Sequence, residues 1–322
     1  MKIWVTGAGG MMGSHLMEML TRQGHTVKGS FFKPTIEPED LLVFDLNHQV
    51  DITDWCSIYD FLAQFKPDVI FHLAAQSFPT VSWERPVDTF YTNVIGTIHL
   101  FESLKRLNLK SRVIVACSSA EYGFVSEKET PVKEEQQLKP LHPYGVSKVA
   151  QDLLTYQYYQ NYKIDGIRAR IFNCTGPRKK NDALSDFIRR AVSLEQNTHV
   201  SELKVGNLST YRAIVDVRDL NRALILLAEK GTSGDVYNIS GNEAYPLQQI
   251  AQLVLKNCKR KDIQLKEDPA LLRTTDEKII WGDTTKLRND TGWKQEIPIQ
   301  KTIEDMFEYW RAKIKPLQII IS

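Results

Sequence analysis

The sequence predicts an α/β protein: a doubly wound parallel sheet with a smaller C-terminal α/β lobe. Three observations carry this expectation. Short apolar runs rich in β-branched residues alternate with helical-period segments through the first half, the pattern of parallel strands wrapped by helices. A glycine cluster sits between the first strand and the first helix. After about residue 174 the alternation loosens, opening on Gly176-Pro177 and Arg178-Lys179-Lys180.

In chain order, strands are expected at Lys2 to Thr6, Thr26 to Ser30, Leu42 to Phe44, Asp68 to Leu73, Arg112 to Cys117 and Gly166 to Phe172. Between them run amphipathic helices. In Met11 to Gln23, residues Met12, Leu16, Met19 and Leu20 share a face and Gly24 supplies the stop. Trp55 to Phe65, Val94 to Leu107 and Val146 to Tyr162 follow. Ala213 to Lys230 and Asp235 to Ser240 read as a helix and strand returning to the first sheet. The expected division is therefore 1–173, rejoined by 213–240, against a substrate-binding lobe of 174–212 and 241–322. The tail Leu317 to Ser322 is apolar, and packing on its own or a neighbouring subunit is the reading given to it.

The 322 residues exceed one small domain, and 42% hydrophobic with 25% charged residues is ordinary for a globular protein. No segment approaches the roughly 20 uncharged apolar residues of a membrane span. A structural strand beginning at Lys2 leaves an expectation of no signal peptide and a cytoplasmic location. Basic and acidic residues number 41 and 39 without a long run, which argues against a nucleic-acid partner. Cys56, Cys117, Cys174 and Cys258 are dispersed with no CxxC pair, so buried free thiols are expected and no metal site.

Gly7-Ala8-Gly9-Gly10-Met11-Met12-Gly13 sets glycines at GxxGxxG spacing between strand and helix, the context that makes such a trio a dinucleotide loop in a Rossmann-type sheet. Gly7 allows the tight turn, Gly10 lets the backbone approach a pyrophosphate, and Gly13 permits close packing of helix on strand. Met11 and Met12 open the helix whose free N–H groups face the anion. The second strand ends in Gly29-Ser30-Phe31-Phe32-Lys33 without a carboxylate. An acid there would favour NAD; Ser30 and Lys33 could instead meet a 2′-phosphate, so NADP is preferred and NAD is the alternative. Asp51 and Ile52, after the third strand, are adenine contacts by position.

Tyr144-Gly145-Val146-Ser147-Lys148 puts a phenol and an ammonium one helical turn apart. The ammonium is expected to lower the phenol's pKa, fitting the tyrosine to relay a proton at an alcohol oxygen. Ser118 closes an apolar strand at the edge where parallel sheets present reactive groups. His72 reads as packed core, His142 as a loop residue, and Asp216 and Asp219 as caps or ion partners.

Gly7/Gly10/Gly13, His72-Leu73-Ala74-Ala75, Ser118-Ser119-Ala120-Glu121-Tyr122-Gly123 and Tyr144/Lys148 together resemble the extended short-chain dehydrogenase/reductases (the NAD-dependent epimerase/dehydratase family) that modify nucleotide sugars. Gln76-Ser77, Thr92-Asn93-Val94-Ile95-Gly96-Thr97, Phe172-Asn173, Thr175-Gly176-Pro177-Arg178 and Tyr211-Arg212 are similar to the group holding GDP-mannose 4,6-dehydratases and GDP-4-keto-6-deoxymannose reductases. The resemblance implies that Leu73, Ala74, Ala75 and Asn93 lie at the cofactor and that Lys148 also holds the nicotinamide ribose. It implies substrate contacts from Gln76, Ser77, Ser119, Asn173, Arg178, Arg212 and Arg273, a GDP-linked sugar, and a homodimer paired through Val94 to Leu107 and Val146 to Tyr162.

In the dehydratases of this group a carboxylic acid stands two residues before the tyrosine of the strand-end Tyr-Gly. Here that place is Ala120, which cannot transfer a proton. Glu121 is adjacent, but neighbouring side chains on an extended strand point to opposite sides. Reduction of a 4-keto-6-deoxy sugar is therefore the leading expectation. Dehydration remains an alternative, and a 4-epimerase needs the same serine, tyrosine and lysine. A silent dinucleotide-binding sensor or scaffold is the non-enzymatic alternative.

Overall fold

The computed structural model describes residues 1–41, 48–197, 199–272 and 277–314. β1 (Lys2–Thr6) is buried on both faces, so it can only be a central strand. Around it stand β2 (Thr26–Phe31), β3 (His48–Gln49), β4 (Val69–His72), β5 (Arg112–Ser118) and β6 (Gly166–Ile171). With the strand Val236–Ile239 they form one seven-stranded sheet in the order Val236–Ile239, β6, β5, β4, β1, β2, β3. Every pair in it is parallel. The chain starts mid-sheet and winds to one edge, then the other. The switch point lies between β1 and β4, where such sheets bind ligands at their carboxyl ends.

The expected strands match these to within two residues, except Leu42 to Phe44, which lies outside the described residues together with Arg273 and the tail Leu317 to Ser322. One sheet face packs on α1 (Met11–Arg22) and the helix Val217–Lys230 through Leu16, Leu20, Leu220 and Leu224. The other packs on Trp55–Phe65, Gly96–Leu107 and Pro143–Tyr162 through Ile58, Leu62, Leu100 and Tyr158. A separate core joins the helices Ala183–Gln196, Leu247–Asn257 and Ile299–Lys313 through Ile188, Val254, Ile303 and Phe307.

Three boundaries differ from the periodicity. The helix expected from Ala213 begins only at Val217, because Tyr211–Ala213 and Val215–Asp216 are extended and Asp216 caps the helix by accepting from the Arg218 N–H. The helix expected from Val146 begins at Pro143, because Pro suits the first helical position and the His142 ring accepts from the Gly145 N–H at 3.0 Å as its cap. The helix expected from Val94 starts at Gly96, preceded by a π-helical turn over Tyr91–Ile95. That extra residue per turn rolls Asn93 inward. Of the cysteines, Cys117 and Cys258 are buried and Cys174 partly so, whereas Cys56 is exposed.

Candidate active site

A cleft of about 1260 Å³ opens along the carboxyl ends of the sheet strands, between the sheet and the second core. Its floor at the β1–β4 switch point is the glycine loop. Gly7 adopts φ +72°, and a Cβ there would lie 2.8 Å from the Ala74 nitrogen. At Gly13 a Cβ would sit 2.3 Å from the Gly7 carbonyl oxygen, so a side chain would force α1 off the strand. A Cβ at Gly10 would meet only the Gly7 oxygen at 3.3 Å and Thr35 at 3.8 Å. Gly10 opens α1 without a side-chain cap. The uncapped helix start is the cradle a pyrophosphate requires, and Met11, Met12 and Gly13 line the cleft beside it. Leu73, Ala74, Ala75, Asp51, Ile52 and Lys33 also line this half. The Asp51 carboxylate accepts from the Thr53 N–H and hydroxyl, while the neighbouring helix is capped by Asp54.

Two expected cofactor residues are not in the cleft. Ser30 is 1% exposed and accepts from the Trp4 indole N–H at 3.0 Å inside the sheet, because strand alternation turns it inward. It cannot reach a phosphate; Phe31, Phe32, Lys33 and Thr35 form that end of the cleft instead. Asn93 is fully buried. Its amide donates to the Gln76 carbonyl and the Ser147 hydroxyl, and its oxygen accepts from the Gln76 N–H. It braces the loop after β4 against the helix bearing Tyr144 and touches no cleft surface.

Behind Asn93 the network is fixed in direction. The Thr97 hydroxyl donates to the Asn93 carbonyl at 2.7 Å and therefore accepts from His72 Nε2–H at 3.0 Å. The Thr6 hydroxyl, which accepts from the Leu73 and Ala74 amides, is left to donate to His72 Nδ1. Burial holds this histidine neutral, its pKa near 3. His72 is packed core, as its sequence position suggested.

The end of β5 and the helix Pro143–Tyr162 bring Ser118, Tyr144 and Lys148 to one wall of the cleft. The Tyr144 hydroxyl shares a hydrogen bond with the Ser118 side chain. Lys148, 4% exposed, donates from Nζ to the Ala116 carbonyl at 2.9 Å, which leaves further donors on the ammonium. The expectation that Lys148 lowers the phenol's pKa is reversed. Burial pushes Tyr144 up to about 12 and Lys148 down to about 8, and the ammonium, 5.7 Å from the tyrosine ring centre, is turned toward Ala116. At neutral pH the phenol therefore carries its proton.

Ala120 lines the cleft beside Ser118 and Ser119. Glu121 does not, because Ser119–Glu121 is a 3₁₀ turn that folds its carboxylate back beneath the strand end. On the substrate side, Ser77 and Asn173 line the cleft, and the buried Asn173 amide nitrogen has no hydrogen-bond partner among the described residues. Gln76 reaches the wall, but its side chain holds Phe78 and Thr89. Arg212 lies on the strand Tyr211–Ala213, which pairs with Ala244–Pro246 and Ile279–Ile280, and donates to the Tyr211 and Glu277 carbonyls. Arg178 lines the cleft too, yet its guanidinium binds Ser14 and Glu18 of α1; it clamps the two sides together. Asp216 and Asp219 cap and pair as expected, Asp216 with Arg218 and Asp219 with Arg222.

The cleft also takes Thr35 and Arg190, which the sequence did not single out, and Trp83, Lys179 and Asn207, which it did not assign to the site. Arg190 stands on an amphipathic helix beside Arg189, and nothing local separates the two. Thr35 is held at the glycine motif by its N–H, which donates to the carbonyl of Gly9, a contact between distant residues that the sequence does not display.

A family model described as GDP-mannose 4,6 dehydratase matches residues 4–306. The GDP-6-deoxy-D-mannose reductase of Pseudomonas aeruginosa is 28% identical over 315 residues, 98% of each chain. The GDP-mannose 4,6-dehydratase of Yersinia enterocolitica is 25% identical over 95% of this chain and 92% of its own. Among solved structures, RMD from P. aeruginosa complexed with NADPH superposes with a TM-score of 0.86 at 25% identity, covering 97% of this chain and 99% of that one. The Thermotoga maritima UDP-glucose 4-epimerase, at 24% identity and a TM-score of 0.89 over 98% of this chain and 100% of that one, shares the fold.

Proposed function

The chain belongs to the GDP-mannose 4,6 dehydratase family, and from that premise we propose that it is the reductase of a GDP-linked 4-keto-6-deoxy sugar rather than a dehydratase. The observation that carries this is Ala120. Loss of water across carbons 5 and 6 needs an acid in the cleft at that place; a methyl group stands there, and Glu121 is folded out of reach. The full-length similarity to a GDP-6-deoxy-D-mannose reductase supports the same reading.

The uncapped start of α1 and the glycine cradle fit a dinucleotide, and Lys33, after a strand end Gly29-Ser30-Phe31-Phe32 that carries no carboxylate, supports NADPH. A reduced nicotinamide supplies a hydride when bound. The chain's own part is positioning and proton supply. Ser118 and Tyr144 direct their hydroxyls at the keto oxygen, and the phenol, protonated at neutral pH, gives its proton to that oxygen as it becomes an alcohol. Lys148 has donors left for the ribose and holds positive charge beside the site. Asn173 offers the substrate an amide with no partner among the described residues, and Arg190 and Arg212 line the same cleft, which supports their meeting a diphosphate.

We take 174–212 and 241–322 as the lobe that selects the sugar nucleotide. No helix among the described residues is long and apolar enough to cross a membrane, and a cytoplasmic location fits the free thiols. Val146, Leu153, Tyr156 and Tyr162 are exposed along the helix Pro143–Tyr162, which supports pairing of two copies there. Light scattering at the column outlet should give twice the 36.9 kDa chain mass.

The test of the activity is direct. Purified protein with NADPH and GDP-4-keto-6-deoxymannose should consume absorbance at 340 nm and yield a sugar two mass units heavier. Failure with that substrate, together with conversion of GDP-mannose to a keto product, overturns the reading in favour of dehydration.

A further inference from the structure

Beneath the three reacting side chains lies a closed group of charges that proton and hydride transfer do not themselves use. Glu121 is fully buried, and its Oε1 accepts from the Ser118 backbone N–H at 2.7 Å. In the same turn the Ser118 hydroxyl oxygen accepts from the Ala120 N–H at 3.2 Å. The other Glu121 oxygen faces Arg170 Nε at 3.3 Å without a hydrogen bond of its own. Arg170, on β6, donates that same Nε–H to Asp152 at 2.8 Å and binds the Tyr122 hydroxyl and the Glu134 carbonyl with Nη1. Arg168, two residues earlier on the same face of β6, holds the second Asp152 oxygen at 2.9 Å.

Asp152 stands one helical turn beyond Lys148, on the helix that carries Tyr144. Arg170 therefore touches both the turn that shapes Ser118 and the helix that presents its partners. Cys117, Glu121 and Asp152 bring ligand atoms within 4.8 Å of one another, but guanidinium groups occupy both Asp152 oxygens, so this is an ion-paired cluster and not a metal centre. Buried ion pairs add little stability over apolar residues of the same size. Their place here is better explained by what they hold still.

We propose that Glu121 is a positioning residue for the reduction: it fixes Ser118 through the backbone amide and, by way of Arg170 and Asp152, locks that serine in register with Tyr144 and Lys148. This rests on the reductase reading above. A second consequence is electrostatic: burial and the nearby Asp152 push the Glu121 carboxyl up to about 8, so it gains its charge in the range in which Lys148 would lose its proton, and that charge favours the Lys148 ammonium. Around Glu121 stand Arg170, Asp152, Cys117, Tyr122 and Lys148. Around Lys148 stand Tyr144 on its own helix, Cys117 on β5, His72 on β4 and Glu121 itself.

Two substitutions separate reach from charge. Glu121→Asp keeps the charge and draws the oxygen back by one methylene; kcat should fall on the order of 10- to 100-fold, as for a small misplacement of a reacting group, with KM for the keto sugar changed less than threefold. Glu121→Gln keeps the reach and removes the charge; it should retain more activity than Glu121→Asp, and its alkaline limb should move to lower pH. Wild-type kcat in Glu121→Asp, or an unmoved alkaline limb in Glu121→Gln, overturns the proposal. Hydrogen exchange at the Ser118 amide, read by NMR on protein labelled with ¹⁵N-serine and given no sugar, is independent of turnover and of whether the variants fold. Slow exchange in the wild type is expected, and fast exchange overturns the proposal. A wild-type chain that reduces no keto sugar sinks the reductase reading instead, and the exchange rate still decides whether Glu121 holds Ser118.

Discussion

Replacing Lys148 by Met should make the protein inactive and, at pH 7, more stable. The ammonium is 4% exposed, and burial pulls its pKa from 10.5 to about 8. Holding the charged form in the folded state instead of the unfolded chain costs about 3 kcal/mol by that difference. Met fills the same channel without charge, but it strips the Ala116 carbonyl of its donor, which takes back about 1–2 kcal/mol. The net expectation is a gain of about 1–2 kcal/mol at pH 7 from these two opposing effects. The pH dependence supplies the sharper test. Between pH 8 and 10.5 the unfolded chain binds more protons than the folded one at this site, so wild-type stability rises with pH through that window. From pH 7 to 9.5 the wild type should recover roughly 2 kcal/mol that the variant cannot. Urea unfolding of both proteins at the two pH values measures this difference, in which most other titrations cancel. A variant less stable than wild type at pH 7, by the same margin at pH 9.5, would refute the account of Lys148 as a buried, strained charge.

Tyr144→Phe should lower kcat by about 10²- to 10⁴-fold, the usual worth of a positioned general acid, with NADPH affinity by fluorescence within threefold of wild type. For the intact protein, the rate of reduction should be flat through neutral pH and fall as pH rises through about 8, where Lys148 loses its proton while Tyr144, near 12, keeps its own; a rate that climbs through this window would mean the phenolate is the working form. Ser30→Ala leaves the buried Trp4 indole N–H unpaired and should cost about 1–3 kcal/mol of stability, yet leave the preference for NADPH over NADH unchanged; Lys33→Ala should do the reverse, weakening NADPH alone. Gly13→Ala drives a Cβ into the Gly7 carbonyl and should cost about 1–3 kcal/mol by overpacking while weakening NADPH at least tenfold in a fluorescence titration.

The sheet was legible because its central strands β1, β4, β5 and β6 are buried on both faces and so read as apolar runs, and because turn glycines and helix periods mark the gaps between them. Residues on the glycine loop and the strand ends were legible for a related reason: backbone geometry alone places Gly7, Gly10, Gly13 and Ser118 at the carboxyl edge. What failed was orientation. Ser30 lies one residue from the cleft-lining Phe31, and only the pairing register of β2 decides which of the two faces the cofactor end. Asn93 turns inward because of a π turn that has no clear signal in a run such as Tyr91-Thr92-Asn93-Val94-Ile95. Arg178 lines the cleft, but its charge is claimed by Glu18, 160 positions away in sequence, a pairing no local pattern reveals. Burial also inverted the electrostatics of Tyr144 and Lys148, since proximity of opposite charges is visible in sequence spacing and desolvation is not.

Ala120 and Glu121 show how much turns on such a detail. Had β5 run straight on past Ser118, residue alternation would have put Ala120 and Glu121 on opposite faces, one toward the cleft and one into the packing. The 3₁₀ turn reaches a similar separation by another route: it tucks the Glu121 carboxylate under the Ser118 amide, where it is hydrogen-bonded and faced by Arg170, and leaves the Ala120 methyl at the surface of the cleft. An acid held in that way cannot serve as a proton donor to the sugar, because moving it into the cleft would abandon its hydrogen bond and ion pair and leave Arg170 less well paired in the interior. Among the described residues, the acid of this turn is therefore withheld from the cleft, and the proton placed for chemistry is that of Tyr144, beside the Ser118 hydroxyl and a lysine that holds positive charge. That supply is enough to complete the reduction of a ketone. It is not enough to remove a hydroxyl as water, which needs a second donor where this chain has carbon.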